Sequence, residues 1–244
     1  MSEVSEWVNG VGVVHRDAAL LILAKPSGLP TTSPDDSDCL VKRAQALDPD
    51  APRLHATSRL DAEVSGLVTF ARTPAAAEAL RQARAEGRYG RRYIALTLTP
   101  PRKDEGAWDS AISIDPRDRR KRVAGQGAQE KAARSRFTVV ERMSLGALFH
   151  LFPETGRTHQ LRVHAAAAGA PLFGDKVYGG PTRATAADGR VITARRTMLH
   201  CAALRLPDVA RGQGELDLVL APPADWLAAY TGLGGAGLLG FGYR

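Results

Sequence analysis

Strand-like and helix-like segments follow one another along this chain without the regular βαβ period that a parallel sheet demands. That irregularity narrows the fold more than composition does. "GVGVVHRDAALLILAKPSGLP", residues 10–30, reads as two short strands around a turn at Arg16-Asp17. A polar loop, "TTSPDDSDCL", follows, with Asp38 placed to cap a short helix over 39–47. An alanine-rich segment then offers Thr73 as N-cap, Pro74 at the first helical position and Gly87 as its stop. "RRYIALTL" (91–98), "FTVVERM" (137–143) and "ALFHLFP" (147–153) carry the aromatic and β-branched residues of strands, the last two joined by a turn at 144–146. A helix is expected from Thr158 to Ala168, ended by Gly169. Strands at 198–207 and 214–223 and a helical turn at "DWLAAY" close the pattern. The expected architecture is α+β, a mixed and mostly antiparallel central sheet flanked by helices and loops. No linker splits the chain, so a single domain over 1–244 is expected. Its glycine-rich tail, 231–244, is expected to be poorly ordered.

The longest aliphatic run, Ala18 to Ala24, is far too short to span a bilayer, and "MSEVSEWVNG" is no signal peptide. No membrane role is expected. Cys39 and Cys201 match neither a metal spacing nor a disulfide framework, which suits two reduced thiols in a cytoplasmic protein. Lysine plus arginine number 33 against 26 acids, a formal charge of +7. Such an excess favours a polyanionic partner, nucleic acid first.

The basic charge is concentrated. Arg117, Arg119, Arg120, Lys121 and Arg122 lie almost together in "DPRDRRKRVAGQGAQEKAARSR". They form either a solvated loop or a phosphate-binding arm made mobile by Gly125 and Gly127. His159 and His164 lack the spacing and the third ligand of a zinc site, so no metal is expected. On a helix His159 and Arg162 share one face, while Leu161, Ala165 and Ala168 share another. That arrangement would present a guanidinium toward whatever lies opposite, or leave an ordinary exposed arginine. Ser65 lies outside any hydrolase elbow, and "GLGGAG" opens no helix after a strand.

Taken together, the motifs resemble the RluA-like family of RNA pseudouridine synthases. "RLDAEVSGLVTFAR" resembles that family's catalytic R-L-D-x-x-T-S-G-L loop and strand. "RRYIAL" resembles its K/R-x-Y-x-A-L strand, and "GRTHQLRVHAAAAGAPLFGDKVYGG" its G-R-T-H-Q-I-R-x-H segment with the following G-D-x-x-Y-G. "LHCAALRL" and "VHRDAALLILAKPSGLP" match a late strand and the opening strand with its K-P-x-G turn. The resemblance runs in order over roughly residues 10–220.

The resemblance implies an isomerase that cleaves the uracil N1–C1′ bond, turns the base and rejoins it through C5, with one carboxylate and no cofactor. It implies Asp61 as that carboxylate, Arg162 as the arginine paired with it, and Tyr93 as the ring that stacks on the target base. Arg59 becomes the residue that fills the space left by the flipped nucleotide. The implied partner is ribosomal or transfer RNA, and the chain is expected to act as a monomer. Two positions depart from the family pattern: Ser58 stands where histidine is usual, and Val64 where threonine is usual. Only about ten residues precede the resemblance, so the family's frequent N-terminal S4 domain is not expected. Two alternatives stay open beside the enzyme: a catalytically weak RNA-binding protein on the same scaffold, and a glycoside hydrolase, which would need a second carboxylate near Asp61.

Overall fold

The computed structural model describes residues 2–35, 37–51, 53–125 and 127–237. In chain order the elements begin with β1 (Glu6–Val8), β2 (Val11–Arg16), β3 (Leu20–Lys25), α1 (Leu40–Leu47), β4 (His55–Ala56), β5 (Ser65–Ala71) and α2 (Pro74–Ala85). The middle of the chain forms β6 (Gly90–Thr97), β7 (Glu105–Trp108), β8 (Ile112–Ile114), β9 (Arg122–Ala124), β10 (Ala128–Lys131), β11 (Ser135–Met143) and β12 (Gly146–Pro153). The last part forms α3 (Gln160–Ala167), β13 (Arg183–Thr185), β14 (Val191–Thr193), β15 (Leu199–Pro207), β16 (Glu215–Val219) and α4 (Ala224–Gly232). The fold is α+β and strand-dominated, as the irregular alternation implies.

The chain divides into two compact units. The first comprises residues 2–91 with 201–222. Its strands run in the order β1-β2-β3-β5-β15, with β4 added to β5 and β16 to β15. β3 and β5 pair antiparallel from Leu20↔Ala71 to Lys25↔Gly66, and every residue of both is buried. Strands covered on both faces lose the alternation of apolar and polar residues, which is why "LLILAK" and "SGLVTFA" read as near-continuous apolar runs.

α2 begins as its sequence dictates: the Ala76 N–H donates to Thr73 Oγ1 at 3.1 Å, with Pro74 in the first turn. It ends on Gly87, whose φ of +73° is cheap only without a Cβ. There the Arg88 N–H reaches back to the Ala83 carbonyl at 2.7 Å. α1 departs from expectation. Its N-cap is Cys39, which makes no side-chain cap bond, and Asp38 pairs instead with Arg43. A carboxylate one residue too early finds the guanidinium on the next turn before it finds an orphan N–H.

The second unit comprises residues 92–200 with 223–237. Its main strands run β6-β12-β11-β7, all antiparallel, and smaller sheets are formed by β10-β8-β9 and β13-β14. One face of the main strands carries Phe137, Phe149 and Leu151, and Trp108 stacks on Phe137 at 4.6 Å. The expected poorly ordered tail is corrected in its first part. α4 runs to Gly232, Leu233 is buried, and the Leu233 carbonyl accepts from Ser144 Oγ at 3.1 Å and from the Leu145 N–H at 3.2 Å. The remainder of that tail, 238–244, lies outside the described residues.

Candidate active site

Asp61 and Arg59 belong to the first unit; Tyr93, Arg162 and residues 117–122 belong to the second. Asp61 sits on the loop that leads into β5, and that loop is pinned at residue after residue. Thr31 Oγ1 donates to the Leu60 carbonyl at 2.8 Å and accepts the Leu60 N–H at 3.0 Å. The Val64 N–H closes a turn on the Asp61 carbonyl at 3.0 Å. Ala62 O accepts from the Gly28 N–H at 2.8 Å and from Lys25 Nζ at 3.1 Å, and Ser27 Oγ donates to Glu63 O at 3.0 Å.

Lys25, only 2% exposed, also donates to Pro26 O at 2.8 Å and Leu29 O at 2.7 Å. The K-P-S-G turn together with Thr31 is therefore a clamp on residues 60–63. The strand that follows needs Gly66: its φ is +127°, and a Cβ there would lie 2.4 Å from the Cys201 carbonyl oxygen. The side chains alternate, with Ser58 and Leu60 buried, Arg59 exposed and Asp61 half-buried. Ser58 has a structural task, accepting the Thr69 N–H at 3.0 Å, and Val64 packs in the core. Both departures from the family pattern are thereby given roles that leave Asp61 in place.

In the second unit Tyr93 lies on β6, buried and in register with Leu151 of β12. α3 is shorter than expected, Gln160–Ala167, because His159 adopts a left-handed conformation with φ +57°. Nor is the helix two-faced: every residue from Gln160 to Ala165 is buried. Arg162 is 4% exposed, so of its two readings the exposed arginine is the one the structure removes. Its Nε donates to Asp175 Oδ2 at 2.7 Å and its Nη2 to Asp175 Oδ1 at 2.8 Å, the two parallel bonds that only a guanidinium can make. The guanidinium carbon lies 5.1 Å from the centre of the Tyr178 ring.

Tyr178 Oη in turn accepts the Arg122 N–H at 3.1 Å and lies 2.6 Å from His159 Nδ1. His159 and Arg162 thus do meet a common partner, the edge and the face of Tyr178. His164 is occupied otherwise. Its Nε2 donates to the Ser110 carbonyl at 2.8 Å, which leaves Nδ1 to accept from Ser135 Oγ at 3.0 Å. Burial pushes its pKa down and keeps the ring neutral, against the smaller pull of the Ser110 carbonyl.

The basic run forms the turn of a hairpin. It turns between β8 and β9, with the Asp115 N–H on Lys121 O at 3.2 Å and the Lys121 N–H on Asp118 O at 2.8 Å. Gly127 is there for space: a Cβ would meet Ser113 Cβ at 2.4 Å. Arg117, Arg119 and Arg120 are exposed, Lys121 is half-buried, and Arg122 folds back so that its Nη1 donates to the carbonyls of Arg119 and Lys121. Sequence reasoning gave no role to Lys25, Thr31, Asp175 or Tyr178. Lys25 was signalled only by its place in the K-P-S-G turn, Asp175 and Tyr178 by theirs in the G-D-x-x-Y-G stretch, and Thr31 by neither motif.

Among solved structures, human RNA Pseudouridylate Synthase Domain Containing 1 matches with a TM-score of 0.68 and 26% identity, over 87% of this chain and 84% of its own. The family model described as RNA pseudouridylate synthase matches residues 19–167. The dual-specificity RNA pseudouridine synthase RluA of Escherichia coli K12 is 31% identical over 219 residues, 88% of this chain and 93% of its own. Ribosomal large subunit pseudouridine synthase D of Nitrosomonas europaea is 33% identical over 208 residues, 82% of this chain; this chain spans 59% of that relative's length. The chain belongs to the RluA-like family of RNA pseudouridine synthases. No helix among the described residues is long and apolar enough to cross a membrane.

Proposed function

We propose that this chain converts a specific uridine of ribosomal or transfer RNA to pseudouridine, with Asp61 as the catalytic carboxylate. The observation that carries the reading is the clamped loop. Lys25, Ser27, Gly28 and Thr31 hold the backbone of residues 60–63, so the carboxylate is presented from a rigid support rather than a wandering loop. In this reading the N1–C1′ bond breaks, the uracil turns, and C5 bonds to C1′. The proton leaves C5 and N1 regains one, so no oxidant and no cofactor is required. Arg59, exposed beside the loop, enters the stack as the nucleotide leaves it; Tyr93 stacks on the base; Arg162 supplies the cation of the site. In this reading the chain is a single catalytic domain and a monomer acting in the cytoplasm.

The test is direct. Uridine transcripts are incubated with the protein, and pseudouridine is read by carbodiimide adducts that arrest primer extension. Total RNA from a deletion strain, mapped against wild type, identifies the target. Asp61→Asn is expected to remove turnover while RNA binding stays nearly unchanged. An Asp61→Asn protein that still forms pseudouridine at a comparable rate overturns the assignment. A wild-type protein that binds RNA and never modifies it would make the chain an RNA-binding relative on the same scaffold.

A further inference from the structure

We infer that Asp175 is a positioning residue of the reaction, acting through Arg162; the inference rests on the functional reading above. A guanidinium is planar, so fixing two of its nitrogens fixes the direction of the third. Asp175 holds Nε and Nη2 at 2.7 and 2.8 Å, and the Nη1 amino group is thereby aimed.

The holder is itself held. Asp175 is 0% exposed, and its Oδ1 also accepts the Val177 N–H at 3.2 Å and the Tyr178 N–H at 3.3 Å. The Asp175 N–H and carbonyl are tied as well, to Leu172 O at 3.0 Å and to the Gly180 N–H at 2.7 Å. Tyr178 then lays its ring against the guanidinium, and its hydroxyl is fixed by the Arg122 N–H and by His159. A buried cation that only had to be neutralised would need one carboxylate in any geometry. Here both oxygens are used in a fork, the carboxylate is anchored by two amides, and an aromatic ring covers the guanidinium. That is the construction expected where the direction of a donor matters.

The test compares Asp175→Asn in two backgrounds, the wild type and Arg162→Lys. Asparagine keeps Oδ1 as an acceptor for Val177 and Tyr178 but cannot accept both guanidinium bonds. Single-turnover rates at saturating RNA, Kd for RNA and thermal melting are measured for all four proteins. Misplacing the guanidinium is expected to lower the single-turnover rate about 100-fold, with RNA affinity within about twofold. In the Arg162→Lys background the fork no longer exists, so Asp175→Asn is expected to change the rate less than about threefold, a non-additivity that marks residues acting as a unit. Should Asp175→Asn fail to fold, Tyr178→Phe reports on the same support. It removes the bonds to Arg122 and His159, keeps the ring, and is expected to lower the rate severalfold at unchanged affinity.

A lower melting temperature with a wild-type rate per folded molecule would make Asp175 structural only. Equal losses in both backgrounds would show that it does not act through Arg162. If the wild-type protein itself never forms pseudouridine, the functional reading fails and this inference falls with it.

Discussion

Lys25 and Arg162 are buried cations, one in each unit, and they are held in opposite ways. Lys25 gives its protons to three backbone carbonyls, those of Pro26, Leu29 and Ala62. Arg162 gives two of its protons to a carboxylate, Asp175. The first arrangement is a clamp on the chain: it joins a turn to the loop that bears Asp61, and its acceptors cannot be changed by substitution. The second is a charge pair between side chains, and either partner can be altered. Backbone acceptors give a fixed loop; a side-chain pair gives a fixed direction at one atom.

That contrast can be broken from the Arg162 side first, where the largest effect is expected. Arg162→Met leaves the Asp175 carboxylate buried without its guanidinium, at a cost of about 3–5 kcal/mol. Adding Asp175→Asn removes the stranded charge while its Oδ1 still accepts the Val177 and Tyr178 N–H groups, and is expected to return more than half of the loss. Urea unfolding of the two proteins measures both values. Equal stability of single and double variants would mean that the charge on Asp175 was never the source of the cost.

Lys25→Met is expected to cost about 2–3 kcal/mol through the buried carbonyls that lose its donor. Ala62 O keeps the Gly28 N–H; Pro26 O and Leu29 O lose a donor. No second side-chain substitution is expected to restore the loss. A suppressor that did so by changing a neighbouring side chain would show that the lost carbonyl bonds were not the source of the cost.

How much of this was legible in the sequence follows the same division. Features written in local chemistry were readable: the Thr73-Pro74 start of α2, its Gly87 stop, and the strand runs of β3, β5, β6, β11 and β12. The Asp61 motif was readable as a resemblance. The partners of Lys25 were not, because Ala62 is 37 residues away and a carbonyl leaves no mark in a sequence. Nor was the burial of Arg162, since helical spacing places a residue on a face without saying what covers that face. The helix proved to be buried on every side from Gln160 to Ala165, and Asp175 came from the loop beyond it. Asp38 failed as a cap because Arg43 competed for it, and Gly125 and Gly127 suggested mobility where Gly127 only makes room.

His150 sharpens the comparison with a third outcome: a base beside a cation that stays neutral. Burial, then the nearby charge of Arg92, lowers its pKa to about 4. In the unfolded chain it takes a proton near its ordinary value of about 6.5. Between those values the unfolded state binds more protons, so stability falls as pH falls through that window and is fully present above it. The loss is expected to reach about 2–3 kcal/mol near pH 4, and His150→Gln is expected to flatten that part of the profile. Melts of both proteins at neutral and mildly acidic pH decide it: parallel profiles would exclude His150 as the titrating group.

The smallest stability effect is expected where charge is exposed, at the basic hairpin. Arg120 pairs with Asp118 while 90% of its side chain meets solvent, and water and salt screen such a pair almost completely. Arg122 is bent back onto its own turn, so the residues that project are Arg117, Arg119 and Arg120. Replacing these three with alanine should barely move the melting temperature. If they bind phosphates, each contributes about 0.7–0.9 to the slope of log affinity against log salt, and the triple variant should lose roughly two units of slope. Phosphate contacts carry no sequence information, so target and scrambled RNA should weaken alike, with single-turnover chemistry at saturating RNA unchanged. An unchanged slope would make the turn a solvated corner of the β8–β9 hairpin. A loss confined to the target RNA would mean that these arginines read bases.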